Sequence, residues 1–290
     1  MTDLPSEATL QTKTARMRWL DPAWRATVLD WVDDQLVRLG LRVTGPVEQP
    51  HIRPWSTAIS VPTNGGLLWF KAGGPGMGYE ARLIESLARW RTPGILAPLA
   101  VDPERDWLLL PDGGPRLRDT LDGGPGIEEW LRILPMWAAM QRQLEPRVDE
   151  LLAVGVPDVR LERVPVELEA LIEDPSTELD ADDRTRLRIL LPALARTCAE
   201  LESMGIAPSL QHDDLHDGNV FAGPEHDRIF DWGDSSIAHP FGTLLVTFRS
   251  IADRGLGDGE YGRRALERLR DAYLEPWTDD HSHEVQGCLG

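Results

Sequence analysis

The chain has 290 residues, of which 41% are hydrophobic and 27% are charged, and its formal net charge is −18. This composition is typical of a soluble globular protein with a sizeable core, in one large domain or two small lobes. The acidic balance argues against nucleic acids and anionic membranes as partners, and no apolar run approaches the roughly 18 residues of a membrane span. We expect a cytoplasmic protein, because the N-terminal residues resemble no signal peptide and the two cysteines suggest no disulfide framework.

The first predicted elements are a helix over 21–40 and a strand hairpin. Asp21 and Pro22 are typical of a helix start, and the apolar residues that follow recur at helical spacing. Residues 53–61 and 67–71 then favour two strands around a turn at 63–66. Lys71 ends the second strand. Lysine occurs elsewhere only at position 13, which indicates that position 71 needs a compact ammonium group; chance is the alternative.

The glycine-rich segment 73–78 leads into the next predicted helix, over 79–91. It lacks the G-x-G-x-x-G spacing of a nucleotide fingerprint, so we interpret it as a connector. Glu80 shares the apolar face of the helix, where an unpaired carboxylate would be costly. We therefore expect an ion pair with Lys71; a solvated glutamate in the first turn is the alternative.

Residues 95–101 and 107–110 predict two further strands, and the proline- and glycine-rich stretch 111–115 predicts a linker. We place the boundary between two domains here. The hypothesis is a β-rich N-lobe over 1–110 and a larger, mostly helical C-lobe over 111–290. The fold class expected from this arrangement is α+β.

After the linker the apolar spacing is mostly helical. The predicted helices span 126–144, 163–173, 182–204, 240–252 and 259–274, and short strands are predicted at 219–221 and 228–230. Pro192 predicts a kink or a break in the third helix. The acidic run at 178–183 favours a helix N-terminus over a binding site.

The stretch 209–234 carries the chemistry. Asp214 and Asn219 lie on one tight loop, and Asp231 ends the next apolar run, while His212 stands two residues before Asp214. This spacing places an amide five residues after the first carboxylate and a second carboxylate twelve residues after the amide. Such a set of groups can bind Mg²⁺ on a nucleotide while a base receives a hydroxyl proton. Each could be an ordinary turn residue, but the combined spacing makes that the weaker interpretation.

The order of these parts resembles the aminoglycoside phosphotransferase and choline kinase-like family, which has a bilobal protein-kinase-like fold. The loop His212-Asp-Asp-Leu-His-Asp-Gly-Asn219 resembles that family's H-x-D-x-H-x-x-N loop, and Ile229-Phe-Asp-Trp232 resembles its I-D-W segment. His239-Pro240-Phe241 is similar to a segment of family members. The resemblance spans about 50–275. The first hairpin departs from protein kinases because it has no G-x-G-x-x-G loop.

The resemblance implies an ATP- and Mg²⁺-dependent transfer of phosphate to a hydroxyl of a small molecule, for example an aminoglycoside or another cationic alcohol. Asp214 would act as the catalytic base, and Asn219 and Asp231 would hold Mg²⁺. The implied nucleotide-binding residues are Lys71, fixed by Glu80, together with Ser56, Leu110 and Asp112. The acidic net charge suits a polycationic acceptor, although fold relatives phosphorylate many alcohols.

Two other function classes stay open at this point. The His-Asp-Asp-Leu-His-Asp cluster suits a metal-dependent hydrolase, although that leaves Lys71 and Glu80 unexplained. A nucleotide-binding pseudokinase would retain the same residues without turnover. The sequence favours a structural role for His216 and His239 and leaves the role of Asp234 open.

Overall fold

The computed structural model describes residues 17–74, 78–223 and 226–278. The chain divides into two compact units. The first, called the β unit here, comprises the chain up to Gly114 together with Phe230–Gly233; the second, called the helical unit, comprises the rest.

Some predicted features lie partly outside the described residues. They are the connector at 73–78, the turn near Gly223 and the two ends of the chain.

The described part of the β unit contains a five-stranded antiparallel sheet and two helices of ten or more residues. Its elements are α1 (Pro22–Leu39), β1 (Glu48–Ile52), β2 (Ser56–Thr63), β3 (Gly66–Gly73), α2 (Glu80–Arg89), β4 (Ala100–Asp102) and β5 (Trp107–Pro111). The strands run in the order β1-β2-β3-β5-β4. The predicted helix 21–40 and the predicted hairpin are present, with Asp21 capping α1 and Gly40 ending it in the left-handed conformation.

Aromatic packing joins α1 to the sheet. The rings of Trp31, Phe70 and Trp107 lie 5.5–5.9 Å apart in edge-to-face pairs. Such pairs contribute about 0.5–1.5 kcal/mol beyond their buried area. Because Phe70 precedes Lys71 on β3, this core fixes the strand from which the lysine projects.

Two strand predictions in the β unit need correction. The predicted strand over 95–101 is wrong for most of its length, because only its last two residues belong to β4. Pro98 lies in the middle of the run and cannot donate a ladder hydrogen bond. Strand β1 was not predicted, since its residues are mostly polar and include Pro50.

The helical unit contains seven helices and four short strands in its described part. They are α3 (Leu117–Thr120), α4 (Ile127–Leu144), α5 (Val148–Ala153), α6 (Val164–Glu173), α7 (Ala181–Glu202), β6 (Ser209–Gln211), β7 (Val220–Phe221), β8 (Arg228–Ile229), β9 (Ser236–Ala238), α8 (Thr243–Ile251) and α9 (Glu260–Leu274). Single 3₁₀ turns occupy Glu145–Arg147, Trp232–Asp234, Pro240–Gly242 and Glu275–Trp277, and a π-helical turn covers Ala252–Leu256. None of the described helices is long and apolar enough to cross a membrane.

Helix α7 is continuous through Pro192, so of the predicted kink or break the break is wrong. The acidic run does mark its N-terminus, where Asp180 accepts a hydrogen bond from the amide of Asp183 at 2.8 Å. A proline removes one hydrogen bond of a helix, but the remaining turns hold the helix together.

The loop 212–219 is fixed at both ends by strand pairs. Strand β6 leads into it and pairs with β9, and β7 leaves it and pairs with β8. The buried Gln141 of α4 donates its side-chain amide to the carbonyl oxygens of Leu210 (3.0 Å) and Pro240 (3.2 Å). The loop is therefore anchored to the core of the helical unit.

Candidate active site

The lysine cluster of the β unit consists of Lys71, Glu80 and Asp231. Lys71 Nζ lies 2.6 Å from Glu80 Oε1, which is the ion pair expected from the sequence. The same ammonium group also forms an ion pair with Asp231 Oδ1. The side chain of Glu80 is 3% exposed and that of Asp231 is 47% exposed, so the cluster runs from the core to the surface of the unit.

Asp231 has a left-handed backbone, with a φ angle of 67°. This conformation is uncommon for a residue other than glycine and occurs where the surroundings impose it. Here the surroundings are Glu80, whose Oε1 accepts the amide of Trp232 at 2.9 Å, and Tyr79, whose hydroxyl donates to the carbonyl of Gly233 at 2.6 Å. The segment around Asp231 is thus held by the same helix terminus that supplies Glu80.

The N-terminus of α2 is capped from a distance. Its own N-cap residue, Tyr79, makes no capping bond with its side chain, but Asp106 Oδ1 accepts the amide of Ala81 at 2.8 Å. Asp106 lies in the turn between β4 and β5. Sequence reasoning missed this contact, because nothing local connects position 106 to a helix that begins at Glu80.

The charges of the cluster stabilise an ammonium form of Lys71. Burial by itself lowers the pKa of Lys71, but the carboxylates of Asp231 and Glu80 outweigh burial and raise that pKa above its ordinary value. Lys71 is therefore charged across the neutral pH range. A fixed ammonium group of this kind can bind phosphate oxygens as a point charge.

The other predicted nucleotide-binding residues belong to the sheet. Ser56 begins β2 and its Oγ lies 3.2 Å from His51 Nε2. Leu110 is on β5, paired in register with Trp69 of β3. Asp112 donates its amide to the carbonyl of Leu67 (3.1 Å) and accepts the indole N–H of Trp69 (3.1 Å). Its amide is therefore already used within the sheet.

The loop cluster of the helical unit is built around Asp214 and Asn219. The side-chain amide of Asn219 donates to both the carbonyl oxygen and Oδ2 of Asp214, at 2.9 Å each. Because the amide nitrogen is used in this way, Asn219 Oδ1 is the side-chain atom that the predicted metal role would require. The structure thus joins two of the predicted site residues in one unit.

His216 completes the loop cluster. Its Nδ1 accepts the amide of Gly218 (2.8 Å) and a guanidinium N–H of Arg118 (3.1 Å), which fixes the proton on Nε2. Nε2 lies 3.4 Å from Asp214 Oδ2. Burial by itself raises the pKa of Asp214, but His216 and the amide of Asn219 outweigh burial and lower that pKa below its ordinary value.

A buried carboxylate supports the loop from behind. Asp217 is 3% exposed and forms ion pairs with Arg118, at 3.1 Å, and with Arg254. A β-carbon added at Gly218 would lie 2.0 Å from Arg118 Nη2, so only glycine leaves room for this guanidinium. Sequence reasoning missed both arginines, since they lie far from the loop in the chain; the pair Asp217-Gly218 was the available signal.

The two predicted metal ligands are each oxygen donors. Asn219 Oδ1 in the helical unit and the half-exposed carboxylate of Asp231 in the β unit are hard donors of the kind that Mg²⁺ prefers. In the described part of the chain no group of three or more His, Cys, Asp or Glu residues is arranged to hold a metal ion. The metal-dependent hydrolase hypothesis requires such a group.

Comparison with known proteins identifies the family. A sequence profile described as the phosphotransferase enzyme family matches residues 135–283, which include the whole loop cluster. The chain belongs to this family. The predicted enzyme class, a small-molecule kinase, is confirmed at the level of this family.

Several solved structures share the fold at low sequence identity. The GDP and kanamycin complex of the phosphotransferase APH(2")-IIia superposes with a TM-score of 0.54 at 17% identity, covering 89% of this chain and 86% of that chain. Choline kinase LicA from Streptococcus pneumoniae superposes with a TM-score of 0.52 at 14% identity, covering 91% of this chain and 98% of that chain. The amicoumacin kinase hAmiN, in complex with AMP-PNP, Ca²⁺ and Ami, superposes with a TM-score of 0.52 at 12% identity, covering 83% of this chain and 77% of that chain. The predicted α+β, protein-kinase-like fold is therefore confirmed. A search of curated protein sequences finds no match.

Proposed function

We propose that this phosphotransferase moves the γ-phosphate of ATP, with Mg²⁺, to a hydroxyl group of a small molecule. The observation that carries the proposal is the loop cluster, in which a carboxylate with a lowered pKa is oriented by an amide and an imidazole. Membership of the phosphotransferase enzyme family and the nucleotide complexes of similar structures support it.

Each group has one role in the proposed step. The acceptor hydroxyl gives its proton to the Asp214 carboxylate while its oxygen forms a bond to the γ-phosphorus; the bond from that phosphorus to the bridging oxygen breaks, and ADP leaves. Phosphoryl transfer depends mainly on positioning and charge neutralisation. Asp214 and its partners, Asn219 and His216, supply the positioning at the acceptor end.

The remaining residues would bind the nucleotide. Lys71, held by Glu80, would contact phosphate oxygens, and its pairing with Asp231 would be exchanged for that contact when a nucleotide is bound. Asn219 and Asp231 would hold Mg²⁺, which neutralises the charge that develops on the phosphates. The backbone near Leu110 would meet the adenine, and Ser56 and Asp112 would line the nucleotide site. The cytoplasmic location expected from the sequence stays a prediction.

The test is an ATP-consumption screen over aminoglycosides, choline-like amines and sugars, with the Asp214→Asn protein as the blank. We expect ADP release that depends on the acceptor, and a loss of about 10²–10⁴-fold in kcat for the variant, because general-base catalysis contributes roughly that much. ATP binding by the variant, measured by calorimetry, should be unchanged.

Two outcomes would decide against parts of the proposal. Retained turnover in Asp214→Asn would remove the base assignment. ATP binding without any acceptor-dependent ADP release would favour the pseudokinase hypothesis over an active enzyme.

A further inference from the structure

A cavity of about 430 Å³ opens in the helical unit beside the loop cluster. This volume is in the range of small-molecule sites. Its walls come from the loop, from α3, from α8 and from the π-helical turn after α8. The lining residues with charged or titratable side chains are Arg118, His216, Arg249, Asp253 and Arg254.

The cavity is locally positive in a strongly acidic chain. Three guanidinium groups line it, and the carboxylates that face them are Asp253 at the wall and Asp217 behind it. Arg118 and Arg254 share the single carboxylate of Asp217, so this triad keeps one positive charge. When Asp253 and the third arginine are included in the sum, the cavity has one positive charge in excess. His216 adds none, because its Nδ1 accepts two N–H groups.

Arg249 is the arginine whose charge is available to a ligand. It is exposed, and its side chain forms no ion pair with any other residue in the described ranges. Arg249 and Ser250 lie three and four residues after Val246 on α8, so all three border the cavity from one side of the helix. The face of α8 that borders the cavity therefore presents an unpaired guanidinium, which binds carboxylates and phosphates through two parallel hydrogen bonds.

The cavity is connected to the candidate base by one side chain. The Nδ1 edge of His216 contacts Arg118 at the cavity wall, and its Nε2 edge faces Asp214 at 3.4 Å. The positive cavity and the Asp214 carboxylate thus lie on opposite edges of a single imidazole ring. An acceptor bound near Asp214 would be adjacent to the arginines.

We propose that the acceptor carries a phosphate or carboxylate group, which the arginine-lined cavity binds through Arg249 and the Arg118–Arg254 pair. The statement that the bound molecule is the acceptor rests on the proposed function, whereas the binding of an anion in the cavity does not. It competes with the polycationic acceptor expected from net charge. A net charge acts over long distances and is screened beyond about 10 Å at 0.1 M salt, whereas the guanidinium groups contact the ligand directly.

The experiment is calorimetric binding of four sugars that differ only at the sixth carbon. Glucose 6-phosphate and glucuronate are anionic, glucose is neutral, and 6-amino-6-deoxyglucose is cationic. We expect the unmodified protein to bind at least one of the two anions more tightly than both other sugars, with the better one showing whether phosphate or carboxylate is preferred. Arg249→Ala should weaken that anion about three- to tenfold and leave ATP affinity unchanged.

The matched control is Arg264→Ala, which removes an exposed arginine of α9 that pairs with Glu260 away from the cavity. It should leave all four affinities unchanged. Tighter binding of the amine, equal affinity for all four sugars, no binding of any of them, or an Arg249→Ala effect on ATP instead of on the anions would each overturn the proposal.

Turnover is measured separately with the same four sugars and the Asp214→Asn blank. Anion-selective binding that depends on Arg249, without any ADP release, would support the cavity and count against the proposed function. Turnover of the amine alone would support the proposed function and count against the binding of an anionic acceptor in the cavity.

Discussion

The lysine cluster and the loop cluster both hold charged side chains in fixed positions, but they do so by different contacts. In the lysine cluster one ammonium group is enclosed by two carboxylates, and the most buried member, Glu80, also holds the backbone beside Asp231. In the loop cluster the Asp214 side chain is 41% exposed and is oriented by the Asn219 amide and by the His216 imidazole, which is itself held by Gly218 and Arg118.

The difference indicates which substitutions should reduce the stability of the folded protein most. A buried group that has lost its partner retains its desolvation cost, so each member of the lysine cluster depends on the others. A half-exposed carboxylate can be solvated again, so its partners set geometry and pKa more than stability.

The largest effect is expected for Lys71→Ala. The variant should lose about 100-fold or more in kcat/KM for ATP, because it removes a charge-assisted contact to the phosphates and leaves Glu80 buried without its partner. Lys71→Arg should not restore the activity, since a planar guanidinium does not fit the place of a compact ammonium. Steady-state kinetics with ATP as the varied substrate checks this. An unchanged KM and kcat would show that the cluster is structural alone.

Asp217→Asn tests whether the loop cluster has a rigid support of its own. The substitution leaves Arg118 and Arg254 facing a neutral side chain, and we expect the free energy of unfolding to fall by about 2–3 kcal/mol. The loss should be smaller than for a fully buried ion pair, because both arginines are partly exposed to water. Urea unfolding gives the value.

The matched control for that measurement is Asp119→Asn. Asp119 pairs with Arg116 at the surface, where both side chains are almost half exposed. Because water can solvate both charges, Asp119→Asn should leave the free energy of unfolding nearly unchanged. Equal effects of the two substitutions would mean that Asp217 is no more than a surface partner.

His216→Gln addresses the smallest effect, a change in pH dependence. Since the pKa of Asp214 is lowered in the folded protein, the base stays ionised even below its ordinary pKa, and activity should be lost only as the pH falls through the lowered value. Removing the imidazole should raise that pKa, so the acid limb of kcat should move to higher pH. The measurement is kcat against pH for both proteins. An acid limb at the same pH would show that His216 does not tune Asp214.

The sequence was sufficient for the parts that are local. The helix over 21–40 has its cap at Asp21 and its stop at Gly40, and both act within one turn of the helix end. The spacing of Asp214 and Asn219 within one loop likewise determines that their side chains can meet. The pair Lys71 and Glu80 was predictable because a lone lysine on a strand precedes a glutamate on the apolar face of the next helix.

Only the tertiary structure decided the contacts between distant segments. Arg118 and Arg254 reach Asp217 from opposite sides of the loop in sequence, and Asp106 caps a helix that begins many residues earlier. The physical reason is that hydrophobic periodicity specifies which face of an element is buried, but not which charged side chain arrives beside it. The positive cavity in an acidic chain arises in the same way, because net charge is a sum over the chain whereas a ligand meets only the few charges that folding brings together.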